Sequence, residues 1–189
     1  MSVSTPRGRT AGGVLVVGID PGTTATGYGV VERAVDGRLL LHECGVFRTT
    51  AANPLHARIR EIYEGIDGVL ETFEPDMVSV EAVFQGKNVR SALVLGHARG
   101  AILLSASLRD IPIAEYAPRE IKKAVVGRGG ATKEQVAWMV QERLRLKAPP
   151  SPGDAADGVA AALCHITLAV EGGPPGFLPH RFASGGEHA

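Results

Sequence analysis

Cysteine is scarce in this chain of 189 residues, which has only Cys44 and Cys164. Two distant cysteines supply neither the disulfide framework of a small secreted domain nor the closely spaced pairs of a zinc site. We therefore expect both to be buried free thiols. His42 and His165 have no metal-ligand spacing and are read as isolated residues, and Trp138 is expected to pack in the core.

Long apolar runs are also missing from the sequence. No run approaches the roughly 20 residues needed to cross a bilayer. The run at residues 14–17 is too short for a signal-peptide core and is soon followed by Asp20. The sequence predicts a cytoplasmic protein that has no membrane partner. Its 44% apolar content suits a globular domain with a core.

The chain carries no net charge, but its charges are unevenly distributed. Residues 61–81 hold seven acids and no Lys or Arg, whereas residues 82–150 hold twelve Lys and Arg against five acids. A basic segment of this kind can bind a polyanion such as nucleic acid. Scattered basic residues on solvated helix faces are the commoner explanation, so charge alone does not decide.

Hydrophobic periodicity predicts an α/β fold with a mixed five-stranded sheet flanked by helices. The predicted strands are residues 14–19, 27–32, 38–47, 77–81 and 111–116. The predicted helices are residues 55–73, 89–108, 119–126, 133–146 and 154–170. The first three strands form an antiparallel meander, and βαβ crossovers place the later strands parallel to the first.

Composition divides the chain into three parts. Residues 1–12 lack apolar periodicity and are predicted to be a flexible extension. Residues 13–171 form the folded domain. Residues 172–189 are rich in Gly and Pro and are predicted to be a disordered tail.

The stretch GIDPGTTATGYGVVE, residues 18–32, places an acid at the mouth of a strand inside a glycine-rich turn. Gly22, Gly27 and Gly29 are expected to serve the turn and a close backbone approach beside Asp20. Such a loop either holds a metal ion through the acid or wraps a nucleotide phosphate. The stretch is similar to the first phosphate loop of the actin, sugar-kinase and Hsp70 ATPases, which suggests a nucleotide-binding fragment. Those proteins need a second phosphate loop, and none is found.

Three further acids suggest the metal alternative. Glu81 also ends a strand, so its carboxylate converges with that of Asp20 if the two strands are parallel neighbours. Asp154 and Asp157, in PGDAADGVAAALCH, lie on one side of the first turn of an apolar helix. A helix cap and a complement to the helix dipole explain that last pair equally well.

Four clustered carboxylates would repel one another and raise their pKa values, and a divalent cation removes that cost. Oxygen ligands without His or Cys favour Mg²⁺ or Mn²⁺ over zinc. Two such ions, about 4 Å apart, can activate water and stabilise the leaving oxygen of a phosphodiester. The basic segment would then contact phosphates.

Four blocks in order, over about residues 14–170, resemble the RuvC family of Holliday-junction resolvases. They are GIDPGTTATGYGVVE, VEAVFQGKNVRSALVLGHARG, EYAPREIKKAVVGRGGATKEQV and DAADGVAAALCH. The resemblance implies a ribonuclease-H-like fold and makes residues 13–171 the nuclease domain. It also implies an endonuclease of DNA recombination and repair that hydrolyses phosphodiesters and leaves 5′-phosphates.

The resemblance assigns roles to individual residues. Asp20 matches the first catalytic acid, Glu81 the second, and Asp154 and Asp157 the last pair. Some family members have His at the place of Asp154. These four acids would bind two Mg²⁺ per active site, with Mn²⁺ as a substitute.

DNA contacts follow in the same way. Phe84 matches the aromatic residue that stacks on bases at the opened junction centre. Lys122 and Lys133 match lysines near the phosphate backbone. Further contacts are expected from Lys87, Asn88 and Arg90.

The family acts as a homodimer that cuts opposed strands of four-way junction DNA, beside the RuvA and RuvB branch-migration proteins. Two other functions fit the same residues: a non-catalytic junction-binding protein, and a structural partner of the branch-migration proteins. The four acids argue against the first, but their presence does not prove activity. The second would survive the substitution Asp20→Asn.

Overall fold

The computed structural model describes residues 9–82 and 89–170. The strands are β1 (Val14–Asp20), β2 (Ala25–Arg33), β3 (Leu39–Arg48), β4 (Met77–Glu81) and β5 (Ile113–Tyr116). The helices are α1 (Leu55–Phe73), α2 (Val89–Leu108), α3 (Pro118–Val126), α4 (Lys133–Leu144) and α5 (Gly153–Val170). These elements match the predicted ones, with ends that differ by at most two residues.

The five strands form one mixed sheet in the order β3-β2-β1-β4-β5. β1, β2 and β3 are an antiparallel meander, and β4 and β5 run parallel to β1. The predicted strand directions are therefore confirmed. Since β1 and β4 are adjacent and parallel, their carboxyl ends lie at the same edge of the sheet.

The two faces of the sheet are covered by different helices. Side chains alternate along each strand, so Val17 and Ile19 face the α1–α2 layer, while Val16 faces α5 with α3 and α4 around it. Asp20 has the same parity as Val16 and lies on the α5 side. α5 is buried along most of its length, because it is covered by the sheet on one side and by α3 and α4 on the other.

Glycines allow α5 to approach the sheet backbone closely. A Cβ added at Gly27 would lie 1.8 Å from the carbonyl oxygen of Asp154, and one at Gly29 would lie 2.4 Å from Val159. A Cβ added at Gly158 of α5 would lie 2.5 Å from the Cα of Tyr28. The predicted close approach at Gly27 and Gly29 is confirmed, and its partner is the first half of α5. Side-chain-free positions thus bring the start of this helix to the end of β1.

Several smaller expectations need correction. α2 is 20 residues long and apolar enough for a membrane span by length and composition alone, contrary to the reading that no stretch approaches that length. Its packing against α1, with Ala98 and Ile102 buried, favours a helix of the folded domain. Trp138 is 57% exposed rather than packed in the core. Of the two free thiols, Cys164 is buried but Cys44 only partly so.

Two residues of the predicted N-terminal extension, Arg9 and Thr10, contact the folded domain. Arg9 forms an ion pair with Asp76, and the backbone N–H of Thr10 donates to Glu32 Oε1 at 2.9 Å. These two residues are therefore tied to the fold. The division into extension, domain and tail remains a prediction, because residues 1–8 and 171–189 lie outside the described parts of the chain.

Candidate active site

Three of the four predicted acids meet in one cleft at the carboxyl edge of the parallel strands. Asp20 ends β1, Glu81 ends β4, and Asp157 lies in the first turns of α5. The cleft measures about 190 Å³. Its lining residues are Asp20, Glu81, Pro118, Ile121, Lys122, Lys133, Val136, Asp157 and Ala160.

Two acids in this cleft, Asp20 and Glu81, have raised pKa values. Burial and the negative charges of Glu81 and Asp157 raise the pKa of Asp20 to about 7, and Lys133 offsets part of this. Burial, followed by repulsion from Asp157, also raises the pKa of Glu81. Carboxylates whose charge is disfavoured in this way are typical of sites that await a cation.

The fourth acid, Asp154, lies at the rim rather than in the cleft. It is in the first turn of α5, its side chain is 37% exposed, and its Oδ2 is 3.7 Å from a guanidinium nitrogen of Arg48. Its charge still contributes to the raised pKa of Asp20. Asp154 is therefore close enough to join the acids electrostatically, although it does not line the cleft.

Two lysines stand beside the acids. Lys133 begins α4, and its Nζ donates to Asp157 Oδ2 at 2.8 Å, a contact that raises the pKa of Lys133. Lys122, on α3, lines the same cleft. Both predicted phosphate-contacting lysines are thus beside the acids, and Lys133 acts as a counter-ion within the protein.

The donor chemistry of the cleft fits a hard divalent cation. The available ligands are carboxylate oxygens, and their mutual repulsion is relieved by positive charge. Within residues 9–82 and 89–170, however, no three acid, His or Cys side chains stand close enough together to hold an ion in their present positions. In this arrangement the ammonium of Lys133 supplies the positive charge at Asp157.

The remaining predicted DNA contacts are only partly described. Phe84, Lys87 and Asn88 lie outside the described residues, in the connection between β4 and α2. Arg90 is exposed in the first turn of α2, at the far end of that connection from Glu81. The roles of all four stay predictions.

Sequence reasoning missed two arginines near the acids. Arg48, at the end of β3, reaches the rim beside Asp154. Arg58 donates from Nε to the carbonyl of Thr23, in the loop after Asp20, and to Thr49 Oγ1, both at 3.2 Å. No local pattern connects residues so far apart in the chain, so only the folded arrangement exposes these contacts.

A mixed five-stranded sheet in this strand order, with acids at the ends of adjacent parallel strands and on a helix packed across them, defines a ribonuclease-H-like nuclease. The Thermus thermophilus RuvC structure is similar, with a TM-score of 0.78 and 37% identity over 84% of this chain and 97% of that one. The T. thermophilus RuvC in complex with Holliday junction substrate matches with a TM-score of 0.77 and 34% identity over the same shares. The predicted fold class is confirmed.

The sequence comparisons identify the family. The profile described as crossover junction endodeoxyribonuclease RuvC matches residues 16–165. Proteins of that name from Chlorobaculum parvum and Moorella thermoacetica are 45% and 46% identical; each match covers 82% of this chain, and 82% and 93% of the relative. The chain belongs to the RuvC family and is a metal-dependent endodeoxyribonuclease. This membership argues against the nucleotide-binding fragment.

Proposed function

We propose that this protein resolves Holliday junctions by symmetric, metal-dependent hydrolysis of two opposed strands, leaving 5′-phosphates. The observation that carries the proposal is the cleft in which burial and neighbouring acids raise the pKa values of Asp20 and Glu81, beside Asp157, Lys122 and Lys133. A set of acids that is strained without a cation and flanked by phosphate-binding groups suits phosphodiester hydrolysis.

The four acids would hold two Mg²⁺, with Mn²⁺ as a substitute, and the bound ions would supply an activated water and stabilise the leaving oxygen. Asp20 is the central ligand, because Glu81, Asp157 and Asp154 all act on its pKa. With cations bound, Asp157 would no longer need Lys133 as its counter-ion. The ammonium of Lys133 would then be available to contact phosphate. Lys122 holds a second position in the same cleft.

Four residues of the β4–α2 region would contact the junction itself. Phe84 would stack on bases at the opened centre, and Lys87, Asn88 and Arg90 would contact the backbone. Support comes from the two ends of this connection: it starts directly after β4, which ends at Glu81, and leads to the exposed Arg90.

A homodimer is supported by the outer face of α2. Its exposed apolar residues fall on one stripe, with glycines between them at which an added Cβ meets no atom within 4 Å. The stripe consists of Val89, Leu93, Gly96, Gly100, Leu104 and Leu108. Small residues let two helices approach closely, so we infer that this stripe packs against its copy. A two-fold dimer matches opposed cuts in a four-way junction. RuvA and RuvB remain the proposed partners and the cytoplasm the proposed location.

The test is cleavage of an end-labelled synthetic four-way junction with a mobile core, read on denaturing gels. A linear duplex of the same sequence is the control, and each reaction is run with Mg²⁺ and with EDTA. Paired symmetric nicks in the junction alone, dependent on Mg²⁺ and absent in Asp20→Asn, would support the proposal. Tight binding without nicks would favour the non-catalytic junction-binding protein. Absence of both binding and cleavage would refute the assignment to a resolvase.

A further inference from the structure

The acids of the site lie in a row along one edge of the sheet. A basic residue lies at one end of this row, the end farther from Lys122 and Lys133. β3 is antiparallel to β2, as β2 is to β1, so β3 ends at the same edge of the sheet as Asp20. Its last residue is Arg48. Phe47 packs on the α1–α2 side, so Arg48 projects on the α5 side, where its guanidinium meets Asp154.

This arginine is only weakly engaged within the protein. The distance from its guanidinium nitrogen to Asp154 Oδ2 is 3.7 Å, longer than a hydrogen bond, and its side chain is 60% exposed. Within residues 9–82 and 89–170, Asp154 is its one polar partner. An exposed ion pair of this kind contributes little to stability. The guanidinium is therefore free to take a stronger ligand.

The position of Arg48 relative to the acids suggests what that ligand is. β3 and β4 are separated by three strand spacings, so Arg48 and Glu81 lie roughly 14 Å apart along the edge of the sheet. Lys122 and Lys133 line the cleft in the region of Glu81. Positive groups thus flank the row of acids on both sides. A DNA strand that crosses acids is repelled by them, and it needs cationic contacts on both flanks to stay in place.

We propose that Arg48 binds a non-scissile phosphate of the strand being cut, on the opposite side of the acids from Lys122 and Lys133. Together these contacts set the direction in which the strand crosses the cleft. The planar fork of a guanidinium suits a phosphodiester and cannot lose its charge. The identity of the ligand rests on the proposed function.

The first experiment measures junction binding over a range of salt concentrations, in an Asp20→Asn background that prevents cleavage. Arg48→Ala and Arg48→Gln should weaken binding about three- to tenfold. Each should also lower the slope of log affinity against log salt by about one for every Arg48 in contact with DNA. Arg48→Lys should restore part of the affinity. Because both variants remove the charge, the test remains valid if one of them fails to fold.

Arg38→Ala is the matched control. Arg38 is 64% exposed and paired with Asp36 in the turn before β3, so it lies at the opposite end of the same strand, roughly 30 Å from Arg48. Its removal should change neither the affinity nor the salt slope. An equal loss in Arg38→Ala would show a general effect of net charge and would overturn the proposal.

The second experiment locates the phosphate. A series of junctions is prepared, each with one uncharged methylphosphonate at a different position around the cut site. The protein with its native Arg48 should bind less tightly to the junction that carries the change at one flanking position. Arg48→Ala should be insensitive to the change at that position alone. If Arg48→Ala stays sensitive at every position, or if it slows cleavage with binding and salt slope unchanged, Arg48 acts on Asp154 and the proposal is wrong.

These outcomes separate the inference from the proposed function. If the protein with its native residues binds junctions but does not cut them with Mg²⁺, the resolvase function fails. The binding measurements would still decide whether Arg48 contacts a phosphate.

Discussion

The sheet carries a poorly exposed acid at each end, and the two acids have opposite surroundings. Glu32, on β2, is fully buried; the N–H of Thr10 donates to it, and His42 Nε2 lies 2.6 Å from its Oε2. Burial would raise the pKa of Glu32, but the hydrogen bonds from Thr10 and His42 outweigh it and lower that pKa. At the other end, Asp20 has acids as neighbours, and its pKa is raised to about 7.

The difference separates an acid with a structural role from one that we propose to be functional. Donors that the chain itself supplies satisfy Glu32, so its charge holds the N-terminal segment and β3 to β2. Asp20 and Glu81 are partly buried as well, yet their neighbours increase the cost of ionisation. A buried acid whose surroundings disfavour its charge indicates a site that binds a positively charged ligand from solution.

Replacing Asp20 tests the comparison with the largest expected effect. Asp20→Asn should reduce junction cleavage about a thousandfold or more, because the proposed central metal ligand is lost. The same change should make the metal-free protein about 1–3 kcal/mol more stable at pH 8, since it removes a disfavoured charge. Single-turnover cleavage and denaturant unfolding in EDTA measure the two effects. If the variant still cleaves junctions, Asp20 is not an active-site residue.

Removing a hydrogen-bond partner of Glu32 should have the opposite effects: stability should fall, and cleavage should be unchanged. His42→Ala leaves Glu32 buried without one of its partners and should lower the free energy of unfolding by about 3 kcal/mol. Cleavage at a temperature where the variant is folded should be unchanged, because Glu32 and His42 are at the far end of the sheet. Chemical denaturation and the junction assay measure the two quantities. A selective loss of cleavage would show that the two ends are coupled.

The pH dependence of stability should distinguish the two acids by sign. The folded-state pKa of Asp20 is raised, so its contribution to stability is lost as the pH rises through about 7. The metal-free protein should therefore lose about 1–3 kcal/mol between pH 5 and pH 8, and Asp20→Asn should flatten this slope. The pKa of Glu32 is lowered, so its contribution is lost only in acid, as the pH falls through its folded-state pKa. Unfolding curves in EDTA at several pH values would show both; a rise in stability from pH 5 to pH 8 would contradict the assignment.

Removing Lys133 should have the smallest effect. Lys133 lowers the pKa values of both Asp20 and Glu81, so Lys133→Gln should raise them further. We expect the rising limb of the pH–rate profile to move to higher pH, with a rate about tenfold lower near neutral pH. Exposed Lys147 provides a control, and Lys147→Gln should leave the profile in place. An unshifted profile in Lys133→Gln would mean that Lys133 acts on DNA alone.

Much of the fold could be predicted because local periodicity determines it. The apolar spacing of residues 55–73 and the short β-branched strands specified α1 and the sheet, and parallel β1 and β4 brought Asp20 to Glu81. Contacts between distant side chains could not be predicted. The rim position of Asp154 depends on how α5 lies against Gly27. Lys133 meets Asp157 across 24 residues of sequence, and His42, read as isolated, is the partner of a buried acid.

The exposure of Trp138 was missed for a related reason. The buried stripe of α4 is Val136, Val140 and Leu144, and Trp138 lies outside it. Large aromatic residues are usually mostly buried, so residue type outweighed helical position in the prediction. The stripe that faces the core was the better guide.

The glycine-mediated contact between α5 and the first two strands has a consequence for synthesis of the chain. Asp20 and Glu81 are translated well before Asp157, and the helix that carries Asp157 can complete the cleft only by docking against strands made at the start. A ribosome-bound chain that has not yet released this helix therefore holds an incomplete set of acids. If hydrolysis needs all of these acids, it can begin only after α5 has docked.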